Sequence, residues 1–353
     1  CHFSNKKMAT DQHEFLLENF ILIYLDNEEN NCLNVYFLQS LVHLIFVFTN
    51  CDQCFDYITD IRNERIFLII SDNRYCRQHI SIINEFEQIE SIYLISKKRS
   101  QSEKWIENHP KIKGVYTDIQ TIYDAVRRDL REYQDDRIPI SILPSKSHVR
   151  DQLFEINEFF KENYQTQTKD DFIELCQNYY ANNEYQLEII KQFQNTYLNS
   201  IPWFTRDCFL TNVLHKALRT RNMSIIKQLD FFIRNLHEQI QSRSKPAHLI
   251  VYRNQMITRD VFDRILKNPH GFLVFHHFLI LTTDRELAFA YADVTQTNDF
   301  VRILFEIKID EQIMSLNDQY LLTINTIFQI CAITSIKDNL WSIKLKQTNS
   351  NEF

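Results

Sequence analysis

The sequence predicts two folded regions of different class: an N-terminal α/β region with a parallel sheet, and a C-terminal α+β region that begins with helices. Three observations support this prediction. Between residues 20 and 132, short apolar runs alternate with segments of helical length. A polar connection with two prolines follows at 133–148, and from residue 247 several strands follow one another with few helices between them. The length of 353 residues also favours two or three domains over one.

The N-terminal region (15–133) contains five continuous apolar segments rich in Ile, Val, Phe and Tyr, which is typical of strands buried on both faces. We predict strands at Phe20–Leu25, Ile45–Thr49, Arg65–Ser71, Ser91–Ser96 and Lys113–Thr117. Helices are expected between them, for example at Asp52–Ile61 and Gln101–Glu107. Five βα units of this length indicate a doubly wound parallel sheet, flavodoxin-like or receiver-like in size.

Ligands of such sheets bind at the carboxyl ends of the strands. The candidate rim residues at these ends are Asp26, Thr49, Asp72, Ser96 and Asp118. A phosphorylated receiver needs an acidic cluster after the first strand and a lysine after the fifth. Glu28 and Glu29 follow Asp26, but Thr117-Asp118 follows the fifth strand. The pattern therefore favours helix capping over phosphotransfer at these positions.

The eight cysteines are spread over the chain and do not form the disulfide framework of a small secreted domain, which favours a reducing, cytoplasmic setting. Cys51 and Cys54 form a CxxC pair without a second pair, so no zinc site is predicted. Two reduced structural cysteines are the favoured interpretation. A redox role would require the pair to begin a helix.

Composition excludes several classes of protein. Gly114 and Gly271 are the only glycines, so neither a P-loop nor a dinucleotide-binding fingerprint can be present. The net charge is −7 and the basic residues are scattered, so nucleic acid is not an expected partner. No apolar run reaches the roughly 18 residues that a membrane span needs.

We place a linker at 134–148, a helical part at 149–242 and a β-rich part at 247–348. In the helical part, apolar residues recur at helical spacing from Leu153 to Phe160, and further helices are predicted at Thr211–Arg219 and Ile225–Ile240. In the β-rich part, the predicted strands are His248–Arg253, Phe272–Leu281, Val301–Ile309, Thr326–Ile333 and Trp341–Lys346. The helices predicted between them are Arg259–Lys267 and Asp284–Ala292.

Generic metal and nucleophile motifs are incomplete. His237-Glu238 begins like a zinc-protease helix, but the second histidine is missing. His276-His277 falls in a predicted strand, where adjacent side chains point to opposite faces, so we expect no shared metal. No metal site is predicted.

Several segments of the C-terminal region, taken in sequence order, resemble those of a known protein family. The segments are Val251-Tyr252-Arg253, Gly271-Phe272-Leu273, Phe278–Glu286, Ile303–Asp310, Thr326–Ile330 and Asp338–Trp341. In this order they resemble the arginine-specific mono-ADP-ribosyltransferases, a family with an Arg–Ser–Glu signature, and Ala217-Leu218-Arg219 resembles its helical subdomain. The resemblance covers roughly residues 150–348. The N-terminal half is similar to the α/β domain that precedes the transferase domain in multidomain invertebrate members.

The resemblance implies a split β core that uses NAD as substrate and transfers ADP-ribose to a protein arginine. In this family the nicotinamide–ribose bond breaks through an oxocarbenium-like transition state, which a glutamate stabilises. An arginine binds the phosphates by charge-assisted hydrogen bonds. The first serine of a Ser-Thr-Ser strand positions that arginine and the ribose, and a second acid two residues before the glutamate engages the acceptor arginine.

When the family signature is aligned with this sequence by position, its arginine matches Arg253. The Ser-Thr-Ser triplet matches Ile280, Leu281 and Thr282, so Ile280 replaces the first serine and only Thr282 keeps a hydroxyl. Arg253, Thr282 and Ile280 are therefore the candidate cofactor-binding positions.

The two-glutamate motif matches Asn317-Asp318-Gln319 when counted back without gaps from the Ile-Phe-Gln-Ile strand. Gln319 then occupies the position of the catalytic glutamate, and Asn317 that of the acceptor-binding acid. Another register would use Asp318 or Glu311, but neither restores the two-residue spacing.

The resemblance thus implies an NAD-dependent protein-arginine mono-ADP-ribosyltransferase with weakened or lost activity. Loss of one preorganised electrostatic group costs about 10²–10³ in rate. Two alternatives remain open: an inactive module that binds NAD or a partner protein, and a signalling or scaffold protein that works through its N-terminal α/β domain.

Overall fold

The structure is a computed structural model, and it describes a mixed α/β chain, which confirms the predicted mixture of classes. The described residues are 20–26, 38–61, 64–71, 74–96, 109–135, 139–144, 146, 168–206, 208–290 and 300–348. The chain divides into two compact units. Unit 1 comprises residues 1–131 and 173–196, and unit 2 comprises residues 132–172 and 197–353.

Unit 1 contains a five-stranded sheet in the order β2-β1-β3-β4-β5, and every pair of neighbours is parallel. Its strands are β1 (Phe20–Leu25), β2 (Leu44–Phe48), β3 (Arg65–Ser71), β4 (Ile89–Ile95) and β5 (Ile112–Tyr116). Each lies within two residues of its predicted position. The two central strands β1 and β3 are buried almost throughout, which explains why their sequences are continuously apolar.

The helices described between these strands are α1 (Cys51–Asp60) and α2 (Arg74–Glu85), and α3 (Ile119–Asp135) follows β5. Helix α1 begins where the side chain of Asn50 accepts a hydrogen bond from the backbone N–H of Gln53 at 3.1 Å. The helix predicted at Gln101–Glu107 lies outside the described residues. The doubly wound arrangement stays a prediction.

Residues 173–196 belong to unit 1, although the sequence pattern grouped them with the C-terminal region. They form most of α4 (Lys169–Tyr179) and all of α5 (Glu184–Thr196). The buried amide of Asn183 donates to the carbonyl oxygens of Gln39 and Val42 at 3.1 and 3.2 Å. Helical periodicity carries no information about such long-range polar contacts. The domain bounds stay a prediction.

The first strand of unit 2 in the described residues is β6 (Ile140–Leu143), which lies inside the predicted linker and pairs antiparallel with a later strand, β9 (Phe272–Phe275). Pro139 and Pro144 flank β6, and they favoured a linker in the sequence. Prolines are compatible with the ends of an edge strand, because there they remove no hydrogen bond from the sheet.

Four helices follow in unit 2: α6 (Ile201–Phe204), α7 (Phe209–Thr220), α8 (Met223–Gln228) and α9 (Asp230–Arg243). The prediction of a single helix over Ile225–Ile240 is wrong, because Leu229 leaves the helical conformation between α8 and α9, with ψ at 2°. Buried positions keep helical spacing across this break, so periodicity could not reveal it. The stretch from Leu153 to Phe160 lies outside the described residues.

Two sheets form the β-rich part of unit 2, in the orders β6-β9-β14-β15-β11-β8 and β10-β13-β12-β7. The remaining strands are β7 (Lys245–Pro246), β8 (Leu249–Thr258), β10 (Leu279–Leu281), β11 (Phe300–Ile309), β12 (Gln312–Leu316), β13 (Gln319–Leu322), β14 (Thr326–Lys337) and β15 (Leu340–Gln347). The helices between them are α10 (Arg259–Leu266) and α11 (Arg285–Ala290). In the core, the ring of Phe275 meets Phe305 and Phe328 edge-on, with centroids 5.3 and 5.6 Å apart.

The strand predicted at Phe272–Leu281 is in fact two strands in different sheets, β9 and β10. The chain leaves the first sheet at His276, whose ring hydrogen-bonds with Ser141 at 2.6 Å and with Asn325 at 2.7 Å. The expectation that His276 and His277 lie within a strand is therefore wrong. Among the helices in the described ranges, none is long and apolar enough to cross a membrane.

Gly271 sits where backbone segments approach closely. A Cβ atom at this position would lie 2.8 Å from the carbonyl oxygen of Leu143, which belongs to the backbone and has little freedom to move. We expect Gly271→Ala to lower the free energy of unfolding by about 1–3 kcal/mol. Urea unfolding followed by circular dichroism measures this change.

Gly114→Ala is the matched control. Its added Cβ would meet the ring of Tyr116 at 3.2 Å, and a side chain can shift. We expect it to change stability by less than about 1 kcal/mol. Equal effects of the two substitutions would contradict the close contact at Gly271.

Candidate functional site

Strand β8 directs a charged side chain toward the interior of unit 2. Its odd-numbered residues Val251, Arg253, Gln255 and Ile257 are buried, and the residues between them are half-buried. The strand pairs antiparallel with β11 over its whole length and forms one edge of the six-stranded sheet. Arg253 is 9% exposed, so this alternation buries a guanidinium among apolar neighbours.

A main-chain carbonyl accepts a hydrogen bond from Arg253. The Nη1 atom donates to the carbonyl oxygen of Ile280, in β10, at 3.1 Å. Immediately beside it, Tyr252 and Thr282 exchange backbone hydrogen bonds of 2.7 and 3.2 Å and so join the edges of the two sheets. The side chain at position 280 therefore has no part in this bond to Arg253.

The hydroxyl of Thr282 has a local partner. It accepts from the backbone N–H of Asp284 at 3.0 Å, and the Asp284 carboxylate accepts from the N–H of Leu287 at 2.9 Å. Both contacts occur where helix α11 begins, and an oxygen that satisfies the first free N–H groups of a helix stabilises that end.

Gln319 and Asn317 lie at the hairpin between β12 and β13. Asn317 adopts a left-handed backbone conformation, with φ at 52°, which asparagine tolerates well. Gln319 begins β13 opposite Leu316, and both Gln319 and Asn317 are exposed. This hairpin had no counterpart among the predicted strands, because it is short and only partly buried.

The register between β10 and β13 brings the signature positions to one edge. Leu281 pairs with Tyr320, the residue that follows Gln319, and Thr282 comes directly after Leu281 at the end of β10. Arg253, Ile280 and Thr282 thus meet at the junction of β8 and β10, with Gln319 on the neighbouring strand. Asn317 lies two residues further back, in the hairpin turn. The roles assigned to all five positions stay predictions.

Sequence reasoning missed one buried group near Arg253, the imidazole of His215 on α7. Burial, followed by the positive charges of Arg253 and Arg219, lowers the pKa of His215 from 6.5 to about 3. Its ring lies edge-on to His277, with centroids 4.2 Å apart. A neutral histidine can lie beside a buried arginine without charge repulsion. Two arginines acting on one buried group indicate positive potential, which favours an anionic ligand.

The rim of the unit 1 sheet is occupied by structural contacts. The carboxylate of Asp26 is buried and accepts a hydrogen bond from the hydroxyl of Tyr24 at 2.7 Å. Asp118 accepts from the backbone N–H of Thr121 at 2.9 Å, and hydrogen bonds to this residue lower the pKa of Asp118. Thr49 is exposed and Ser96 is half-buried, while Asp72, Glu28 and Glu29 lie outside the described residues.

No metal cluster is found in the described ranges: they contain no group of three or more His, Cys, Asp or Glu side chains placed to hold an ion. His237 instead hydrogen-bonds with the hydroxyl of Thr323 at 2.6 Å, and burial lowers its pKa.

Comparison with known proteins finds neighbours among solved structures only. No protein-family model matches the chain, and no curated protein matches it. The Vis toxin of Vibrio splendidus, an ADP-ribosyltransferase, is 13% identical and has a TM-score of 0.25; the match covers 59% of this chain and 88% of the toxin.

Two further neighbours are also ADP-ribosyltransferases. HopU1 of Pseudomonas syringae pv. tomato DC3000 is 12% identical over 52% of this chain and 88% of its own, with a TM-score of 0.31. The C3larvin toxin of Paenibacillus larvae is 13% identical over 46% of this chain and 92% of its own, with a TM-score of 0.28. Identities and TM-scores this low assign neither a family nor an activity to the chain.

His215→Gln tests the buried neutral histidine. Below its ordinary pKa of 6.5 the unfolded chain takes up a proton at His215, whereas the folded chain does not until about pH 3. This residue should therefore lower the stability of unit 2 as pH falls through that window, by up to about 1.4 kcal/mol per pH unit. In His215→Gln that contribution is absent, so stability should fall less steeply with decreasing pH.

Urea unfolding at a series of pH values, followed by tryptophan fluorescence, measures the two slopes. His270→Gln, which removes an exposed histidine, is the control and should follow the unaltered chain. Parallel curves for His215→Gln and the unaltered chain would contradict a buried neutral imidazole.

Proposed function

We propose that unit 2 binds NAD in the manner of a protein-arginine mono-ADP-ribosyltransferase, and that its transfer activity is weakened or lost. The observation that carries this proposal is the position of Arg253. Its guanidinium donates to the Ile280 carbonyl where β8 meets β10, and Gln319 lies on the next strand. Arg253, Ile280 and Gln319 thus lie on adjoining strands, which supports the proposal.

Arg253 is suited to bind phosphate. An arginine donates up to five hydrogen bonds and binds phosphate oxygens in pairs, and such charge-assisted bonds are stronger than neutral ones. The bond from Nη1 to the Ile280 carbonyl orients the group without neutralising it. The positive potential that also acts on His215 supports an anionic ligand such as the pyrophosphate of NAD.

The replacement of serine by Ile280 has a limited effect on Arg253. Because a main-chain oxygen accepts the hydrogen bond, the orientation of the arginine does not require a hydroxyl at position 280. What Ile280 removes is the hydroxyl that the family uses on the ribose. The hydroxyl of Thr282 is not a direct substitute for that serine hydroxyl, because it already accepts a hydrogen bond from the backbone N–H of Asp284.

The replacement of glutamate by Gln319 affects the chemical step. Positive charge develops on the ribose as the nicotinamide bond breaks, and a carboxylate stabilises that charge, whereas a neutral amide does so weakly. The cost of such a loss is about 10²–10³ in rate. Binding of NAD depends mainly on other contacts, so we expect binding to survive better than transfer. Asn317 lacks the charge that would engage an acceptor arginine.

A second candidate within the same site is an inactive module whose ligand is NAD or a partner protein. The side chains at positions 280, 317 and 319 favour this candidate. Each replaces a serine or an acidic residue of the family signature with a group that lacks its hydroxyl or its negative charge. The two candidates differ in whether any transfer remains and in whether the ligand is NAD or a partner protein.

Calorimetric titration with NAD, combined with transfer of labelled ADP-ribose to agmatine or a protein acceptor, tests the proposal. We expect the unaltered chain to bind NAD and to transfer slowly or not at all. Arg253→Ala should abolish binding, whereas Arg264→Ala, which removes an exposed arginine on α10, should leave it unchanged. Gln319→Glu combined with Ile280→Ser should raise transfer by about 10²–10³.

Two results would contradict the proposal. Efficient transfer by the unaltered chain, abolished in Arg253→Ala, would show that a group other than Gln319 occupies the catalytic position. Absence of NAD binding in a folded chain would show that the junction of β8 and β10 is not an NAD site.

A further inference from the structure

The CxxC pair in unit 1 begins a helix, which is the placement that a redox role requires. Strand β2 ends at Phe48, and Cys51 is the first residue of α1, directly after the capping residue Asn50. Cys54 is the fourth residue of the same helix, and its backbone N–H donates to the carbonyl of Asn50 at 3.1 Å. Both cysteines are therefore held in the first turn by a well-formed cap.

Helix geometry places the two thiols within reach of each other. Residues three apart on an α-helix have Cα atoms about 5 Å apart, and disulfides join Cα atoms separated by about 4.4–6.8 Å. The two side chains also project from the same face, because three residues nearly complete one turn. In the structure both residues are thiols. Cβ atoms three residues apart on a helix are about 5–6 Å apart and a disulfide needs about 3.5–4.5 Å, so its formation requires the first turn of α1 to tighten slightly.

The two thiols differ in exposure in the order that thiol–disulfide exchange requires. Cys51 is 6% exposed, whereas Cys54 is fully buried, so an attacking reagent meets Cys51 first.

We propose that Cys51 and Cys54 form a reversible dithiol–disulfide pair that exchanges with small-molecule or protein disulfides. In the first step the thiolate of Cys51 attacks one sulfur of a disulfide such as oxidised glutathione. A mixed disulfide forms and one glutathione thiolate leaves. Cys54 then loses its proton to solvent and attacks the sulfur of Cys51, and the second glutathione leaves. The cysteines lose two electrons, which the oxidised glutathione gains.

The surroundings of the pair suit the oxidised product. Cys51 and Cys54 pack in the apolar core of unit 1 with Phe48 and Ile58. A disulfide has no hydrogen-bond donor, so it can occupy this space without leaving a polar group unsatisfied. The pair is independent of the site in unit 2.

Incubation of the full chain with oxidised glutathione, followed by chymotryptic digestion and mass spectrometry, tests the proposal. Cleavage after Phe48 and Phe55 releases the fragment Thr49–Phe55, which contains Cys51 and Cys54 and no other cysteine. We expect this fragment to become lighter by two hydrogens and to regain them after treatment with dithiothreitol. Cys54→Ser should stop at the first step, with glutathione bound to Cys51.

Cys176→Ser is the matched control, because Cys176 is also buried in unit 1 but has no cysteine three residues away, and burial raises its pKa well above 9.0. It should leave the oxidised fragment unchanged. The exposed Cys331 shows that the reagent is active, since it should take up glutathione in every variant. A Thr49–Phe55 fragment that stays a dithiol while Cys331 reacts would overturn the proposal. Oxidation that occurs only in denaturant would overturn it as well.

Discussion

Strand β8 is the element on which the candidate site depends. It hydrogen-bonds to β11 along one edge, and through the Tyr252–Thr282 bridge its other edge contacts the end of β10. This double attachment fixes which face of the strand is buried, and Arg253 lies on that face. A buried guanidinium is costly unless it has hydrogen-bond partners. The carbonyl of Ile280 supplies one, and it does so only because β10 ends beside β8.

The electrostatics of the site follow from that placement. A cation held against a low-dielectric interior attracts anions more strongly than one in water. Near Arg253, His215 stays uncharged. Under the proposed function, Gln319 stands where the family has a glutamate, so an attraction for phosphate would be preserved while the negative charge that a cationic transition state needs would be absent. Affinity for NAD and turnover of NAD are thus expected to separate in this chain.

The sequence predicted some levels of this structure better than others. The strands of unit 1 were predicted within two residues, because strands buried on both faces carry an unbroken apolar pattern. The break at Leu229 and the division of Phe272–Leu281 were missed, since apolar spacing continues through both. The hairpin at Asn317 was missed because its strands are short and half-exposed. A strand without a continuously buried face carries no regular alternation of apolar and polar residues.

The candidate site was predicted in the same uneven way. Arg253 and Gln319 were identified by resemblance in residue order, and no periodicity could have shown that both lie on strands next to β10. The contact between Arg253 and the Ile280 carbonyl depends on the main chain, so no side-chain pattern encodes it. His215 was not singled out from the sequence, because only its burial beside two arginines distinguishes it.

The candidate site depends most directly on the pairing of Leu281 with Tyr320, which, continued by one residue, would bring Thr282 opposite Gln319. Disulfide cross-linking of a Thr282→Cys and Gln319→Cys double variant measures it, with Glu311→Cys replacing Gln319→Cys as the control, since Glu311 precedes β12 and lies several residues from the junction. The account predicts an oxidised cross-link in the first pair and none in the second. A cross-link with position 311, or none with position 319 in a folded chain, would contradict it.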